Sequence, residues 1–273
     1  MLENEMRKTP LLLAAITGLM TCAGALAASI TVDGNLADWG LHRNGNATDW
    51  KPDTTLVPNK QQYAVEDQTG GAGTRLNPGW GGQNYDAEAL YVSLGANHLY
   101  LALVTGLAPG TPNNPAANSY GPGDFAIDFG QDGSYEFGIE TTGADKGKVY
   151  KNVVWDYGLW DANGAYNPAK PDPAHPTSIL SGTDAGVGTL VYTSIGVNNM
   201  GAHKKDLHYF IEAAIPLSAF SGYSGKFDVH WTMNCANDAI QADPDLTIPE
   251  PGTLALLPLG LVSLAALRRR KSV

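Results

Sequence analysis

Alternation of apolar and polar residues runs through the middle of the chain, and a period of two marks strands with one buried face. Leu99, Leu101 and Leu103 fall on one side of such a stretch, while Tyr100, Ala102 and Val104 give the other side a nearly apolar face too. A strand apolar on both faces belongs in the middle of a sheet, covered twice. Ala89 to Leu94 precedes it across Gly95-Ala96-Asn97-His98, a hairpin-sized break. Asp124 to Phe129 alternates with Phe125, Ile127 and Phe129 inward, Gly130-Gln131-Asp132-Gly133 turns the chain, and Tyr135 to Glu140 returns. Shorter runs predict strands over 62–66, 148–155, 190–197, 207–215 and 227–235. In the last, Val229, Trp231, Met233 and Cys235 share one face, and Asp228, His230, Thr232 and Asn234 the other. Near the start, Ile30 and Val32 lead into an Asp33-Gly34 turn. Leu36 and Trp39 then share one side of a single helical turn, which casts Trp39 as a plug for the end of a core. With no internal repeat and no long amphipathic helix, the pattern predicts an all-β fold, an antiparallel β-sandwich of jelly-roll-like form.

Between the strands lie glycine- and proline-rich loops over 42–86, 106–123 and 167–176. Trp80, within Pro78-Gly79-Trp80-Gly81-Gly82, stands where no internal strand can form. Tyr157 and Trp160 flank Gly158 at a strand end, beside Asp156 and Asp161. Sugar rings stack C–H patches on flat aromatic faces while amides and carboxylates fix the hydroxyls, so Trp80, Tyr157 and Trp160 are the candidate glycan-binding residues. The alternative is that these rings pack beneath their own loops.

Both chain ends read as processing segments. Arg7-Lys8 precede an apolar stretch to Leu26, and Ala25-Leu26-Ala27 offers a small-x-small cleavage pattern, so residues 1–27 are expected to be a signal peptide. A lipoprotein is the rival, disfavoured because Thr21 is large for the position before Cys22. At the other end, residues 248–273 contain Pro249-Glu250-Pro251, an apolar run from Leu254 to Leu267, and Arg268-Arg269-Arg270-Lys271. A run of about 14 residues falls short of the roughly 20 that span a bilayer, which fits a transient stop better than a tail anchor. The basic cluster would stay cytoplasmic, leaving residues 28–247 across the membrane.

Pro249-Glu250-Pro251, the short apolar helix and Arg268, Arg269 and Arg270 together resemble the PEP-CTERM sorting signal of Gram-negative bacteria. That resemblance implies processing by the membrane protease exosortase. It also implies a transient inner-membrane anchor through the C-terminal helix, then delivery to the cell surface or extracellular matrix. The opening Val32-Asp33-Gly34-Asn35-Leu36-Ala37-Asp38-Trp39, the phrase His98-Leu99-Tyr100-Leu101-Ala102-Leu103 and the late Glu212-Ala213-Ala214-Ile215-Pro216-Leu217 are similar to family 9 carbohydrate-binding modules and their DOMON-like relatives. Those are β-sandwiches, and the resemblance implies a polysaccharide or matrix-glycan partner.

Charge and chemistry narrow the field further. The formal net charge is −10, and removing both ends would take it to about −13 or −14, a surface that repels nucleic acid. Cys235 would then be the one cysteine left, so no intrachain disulfide is expected. Its setting, Met233-Asn234-Cys235-Ala236-Asn237-Asp238, resembles a phrase in some PEP-CTERM proteins, where it marks either a reactive thiol or the end of the domain; alternation points it inward. No serine-nucleophile elbow, zinc-protease or nucleotide-binding motif occurs, and His203 and His208 are spaced for neither a helix face nor a strand face. The protein is therefore read as a non-enzyme that binds glycan or exopolysaccharide. A structural matrix or surface-layer protein is the alternative and a glycoside hydrolase the third reading. Asp128, Asp132 and Glu136 offer hard oxygen ligands for calcium, although Gly130 and Ile139 depart from an EF-hand loop, and a plain Asp-Gly turn with solvated acids explains them as well.

Overall fold

The computed structural model describes residues 30–41, 50–53, 62–66, 81–201 and 205–248. Strands β1 (Gln62–Val65), β2 (Ala87–Leu94), β3 (His98–Thr105), β8 (Thr189–Tyr192) and β9 (Tyr209–Pro216) form one antiparallel sheet in the order β1-β2-β3-β9-β8. The second antiparallel sheet, in the order β11-β10-β4-β5-β6-β7, uses β4 (Phe125–Phe129), β5 (Phe137–Ile139), β6 (Lys148–Tyr157), β7 (Pro176–Val187), β10 (Phe227–Thr232) and β11 (Ala239–Ala242). The helical pieces among the described residues are four short 3-10 turns, so the all-β expectation stands and the layers are those of a sandwich.

The inner faces carry the residues that alternation assigned to them. Leu99, Leu101 and Leu103 of β3, Phe125 and Ile127 of β4, and Val229 and Trp231 of β10 meet in one continuous core with Phe137, Ile139, Ile211 and Ile215. The doubly apolar β3 is indeed central, between β2 and β9. A register slip between Ala87 and Ala89 lets Ala87 and Leu90 face the same core despite their odd spacing, because a bulge reverses which face successive side chains reach.

Strand boundaries differ in places from those alternation suggests, and one strand has no counterpart in it. The strand expected over 190–197 ends at Tyr192, with Val197 bridging His208 instead. The one expected to run to Cys235 ends at Thr232, where a turn leads to β11. The long edge strand β7 has no amphipathic signature at all, since Leu180 and Val187 are exposed. Backbone pairing with β6 builds it, through several register shifts around Asn152, a residue in the left-handed region at φ 52°.

Trp39 is buried, but not at the end of the sandwich core. The 3-10 turn Leu36–Trp39 lies over the outer face of the first sheet, where Leu36, Trp39, Leu41 and Trp50 form a second core with Ala89, Tyr91, Ala102, Val104 and Phe210. This covering layer is why β2 and β3 are apolar on both sides. One carboxylate is enclosed in it. Glu212 of β9 is fully buried; its Oε1 accepts the Trp39 indole N–H at 2.8 Å, and its Oε2 accepts the Gly34 and Asp33 amides at 2.5 and 3.1 Å. Burial pushes its carboxyl from 4.5 up to about 7. The signal-peptide and sorting-tail expectations, including Pro249, Glu250, Pro251, Arg268, Arg269 and Arg270, fall outside the described residues. No helix among the described residues is long and apolar enough to cross a membrane.

Candidate aromatic cleft

Four loop segments meet at one edge of the sandwich and enclose a cleft of about 250 Å³. Tyr85 ends the 3-10 turn that precedes β2, Asn118 and Tyr120 come from the loop before β4, and Leu159, Trp160 and Tyr166 from the loop after β6. Cys235 and Asn237 line its base from the turn between β10 and β11.

Backbone interactions hold these segments in place. Gly158 passes so close to that turn that an added Cβ would lie 2.7 Å from the Cys235 carbonyl and nearer still to Ala236, and the Leu159 amide donates to the same carbonyl at 3.1 Å. Asp161 closes its own loop by accepting the Asn163 and Ala165 amides at 3.0 and 3.1 Å, and those donors lower its carboxyl below the usual range. Trp160 bridges Tyr166, their rings 5.7 Å apart and near-perpendicular at 72°. On the facing wall, Tyr85 and Tyr120 make a second edge-to-face pair with centroids 6.4 Å apart, and the Tyr85 hydroxyl oxygen accepts the Tyr120 amide at 3.2 Å. The cleft is thus a preformed arrangement of aromatic faces and amide side chains, with no charged side chain among the described residues that line it.

Of the residues proposed from the sequence, Trp160 enters the cleft. Tyr157 ends β6, half-buried, and is not one of the lining residues. Trp80 lies outside the described residues, although its neighbour Gly81 lines the cleft. Sequence reasoning missed Tyr85, Tyr120, Tyr166, Asn118 and Asn237. The signal available for them was the one used for Trp160, an aromatic or amide in a loop, and nothing local says which loops converge.

Cys235 is free and buried, as alternation predicted. Its thiol donates to the Asn237 side-chain oxygen, and burial pushes it up to about 12, so it packs as a small apolar filler at the cleft base.

Asp128, Asp132 and Glu136 do converge, each placing a carboxylate oxygen within 4.8 Å of the others. The same groups close the β4–β5 turn: Asp128 Oδ2 accepts the Gly133 amide at 2.7 Å, Asp132 Oδ1 accepts Ser134 at 2.9 Å, and Glu136 Oε2 accepts Phe129 at 2.8 Å. Both readings of this acidic hairpin, calcium ligands and turn formers, therefore have geometry behind them. His208 is fully buried against Glu88, Nδ1 to Oε1 at 2.6 Å, a pairing between β9's entry and β2 that its sequence spacing from His203 does not suggest.

Comparison of the chain with models of known protein families and with curated proteins found no match.

Proposed function

We propose that the protein is an exported, non-catalytic binder of glycan or exopolysaccharide, processed by exosortase and displayed on the cell surface or in the extracellular matrix of a Gram-negative bacterium. The observation that carries the binding reading is the cleft: Trp160, Tyr166, Tyr85 and Tyr120 supply stacking faces, and Asn118 and Asn237 supply donors and acceptors for hydroxyls. Its volume of about 250 Å³ suits one or two sugar rings at a chain end or side branch. An uncharged lining on a chain of net charge −10 favours neutral over acidic polysaccharide, because the summed field repels polyanions. Affinity electrophoresis through gels cast with neutral polysaccharides tests this. Retardation of the wild type that Trp160→Ala and Tyr166→Ala abolish, with melting temperature little changed, is the expected result. Migration of the wild type unaltered across a broad panel of neutral glycans would favour the structural matrix reading.

A further inference from the structure

The loop that carries Trp160 into the cleft is anchored at both ends. At its start, Gly158 and Leu159 rest on the Cys235 turn. At its end, residues 172–175 form a turn in which the His175 amide donates to the Asp172 carbonyl at 3.2 Å and Asp172 Oδ1 accepts the Ala174 amide at 3.0 Å. The Asp172 amide donates to the Trp160 carbonyl at 2.8 Å, so this turn fixes the backbone beneath the Trp160 ring. The turn is held to the second sheet by two imidazoles. His175 Nδ1 lies 3.3 Å from Nε2 of His230, which stands on the outer face of β10, and the ring centroids are 5.5 Å apart. A hydrogen bond from the Tyr135 hydroxyl to the Ala174 carbonyl at 3.3 Å adds weaker support.

These two rings fit together in one protonation state. His230 is 1% exposed, and its Nδ1 is enclosed without a hydrogen-bond partner. A proton there would be a buried donor with nothing to bond, so Nδ1 stays bare and Nε2–H donates to His175 Nδ1. His175 then carries its own proton on Nε2, which faces Asp172 Oδ2 at 3.9 Å. A further proton has two places to go. On His175 Nδ1 it destroys the acceptor and sets N–H against N–H; on His230 Nδ1 it puts an unpaired cation in the interior. The other titratable groups around the pair do not offset this. The Tyr135 ring lies 5.5 Å from that of His230, with Tyr157 beyond it. Asp228 and Asp128 stand opposite one another two residues along the same outer face, where Asp228 accepts from Gln131 and Gln241 at 2.7 and 3.0 Å and Asp128 from the Gly133 amide at 2.7 Å. Burial outweighs the attraction of Asp172, and both imidazoles are held below their ordinary 6.5.

We propose that the His175–His230 contact is an acid-sensitive latch on the aromatic cleft: closed in neutral medium, it holds the Trp160 loop in place, and protonation in mildly acidic medium releases it. The opening of the loop follows from the pair itself; its control of polysaccharide binding rests on the glycan reading. With the folded-state values lowered, what the pair contributes is fully present above 6.5 and is lost as pH falls below it. The buried carboxyls run the other way. Asp124, Glu140, Glu212 and Asp238 are all raised, so protonation favours the folded form at each of them, and acid loosening of this loop is not theirs.

The test is amide hydrogen exchange read by mass spectrometry at about pH 7.5 and about pH 5, corrected for the intrinsic pH dependence of exchange, alongside retention in neutral-polysaccharide gels at the same two values. In the wild type, peptides covering 159–175 should lose protection by ~10-fold at the lower pH, the factor that one unit of lowered pKa supplies, and retention should weaken with them. His175→Asn puts an amide oxygen where Nδ1 accepts but does not titrate, and should cut the difference between the two pH values to less than ~3-fold. Should that variant fail to fold, His230→Gln, whose amide nitrogen stands where Nε2 donates, replaces it with the same expectation. Equal protection of 159–175 at both pH values in the wild type, or the same loss in the folded variant, would overturn the latch. Undiminished retention at the lower pH while the loop opens would overturn its control of the cleft. If the loop opens in acid as expected but no polysaccharide is retained at either pH, the latch stands and the glycan reading fails by itself.

Discussion

Replacing Glu212 by glutamine should change how stability depends on pH. In the wild type both carboxylate oxygens serve as acceptors, for the Trp39 indole and for the Gly34 and Asp33 amides. Glutamine keeps one acceptor oxygen and turns an NH2 toward donors on the other side, leaving at least one buried N–H unsatisfied at a cost of about 1–3 kcal/mol. Against this stands the cost of ionising a carboxyl under the Trp39 layer. The folded-state value is raised, so the stability this group contributes is fully present below its ordinary 4.5 and is lost as pH climbs through about 7. With each unit worth about 1.4 kcal/mol, the loss between pH 4 and pH 8 approaches about 3 kcal/mol. Glutamine does not titrate. Urea denaturation of both proteins at pH 4, 6 and 8 should therefore show the variant less stable by about 2 kcal/mol at pH 4, with the gap closing or reversing by pH 8. Background effects, such as self-repulsion in an acidic chain, cancel in the difference. A gap that stays constant across the range would refute the reasoning, because it would mean that Glu212 holds its proton no more tightly in the folded protein than in the unfolded chain.

Three further outcomes are expected. Gly158→Ala should destabilise the protein by about 1–3 kcal/mol through overpacking and push the loop bearing Trp160 away from the Cys235 turn, read as a lower urea midpoint together with weaker polysaccharide retention. Cys235 should resist Ellman's reagent in the native state and react promptly in denaturant, since its thiol is enclosed and its ionisation is pushed up to about 12; rapid native labelling would contradict the burial. The intact mass of the extracellular form should lack the apolar tail after Pro249-Glu250-Pro251, and recovery of full-length protein alone, embedded in membrane, would defeat the sorting proposal.

Several elements were legible before any coordinates. The two faces of β3 announced a central strand, Phe125, Ile127 and Phe129 announced the inner face of β4, and Val229, Trp231 and Cys235 pointed inward, as found. Each case rests on period two, a local property that burial of one sheet face imposes on consecutive residues. Where no face is buried the signal vanishes. The edge strand β7, with exposed Leu180 and Val187, is made by hydrogen bonds to β6 that any sequence free of proline in its interior can form, and alternation assigns no strand to it.

Local pattern also says that a ring is apolar without saying what it packs on. Leu36 and Trp39 on one side of a helical turn were sequence facts, but that they cover the outer face of the first sheet, and thereby enclose Glu212 some 170 positions later, was decided by the fold. The cleft follows the same logic: Trp160 was recognisable as a loop aromatic, whereas Tyr85, Tyr120 and Asn237 became its neighbours only when separate loops were brought to one edge. His175 and His230 lie 55 positions apart and meet where the turn closing the Trp160 loop reaches the outer face of β10. Sequence by itself determined which residues must leave water. Only the tertiary structure decided which of them share a site, because sheet pairing and layer packing join positions whose separation along the chain leaves no local trace.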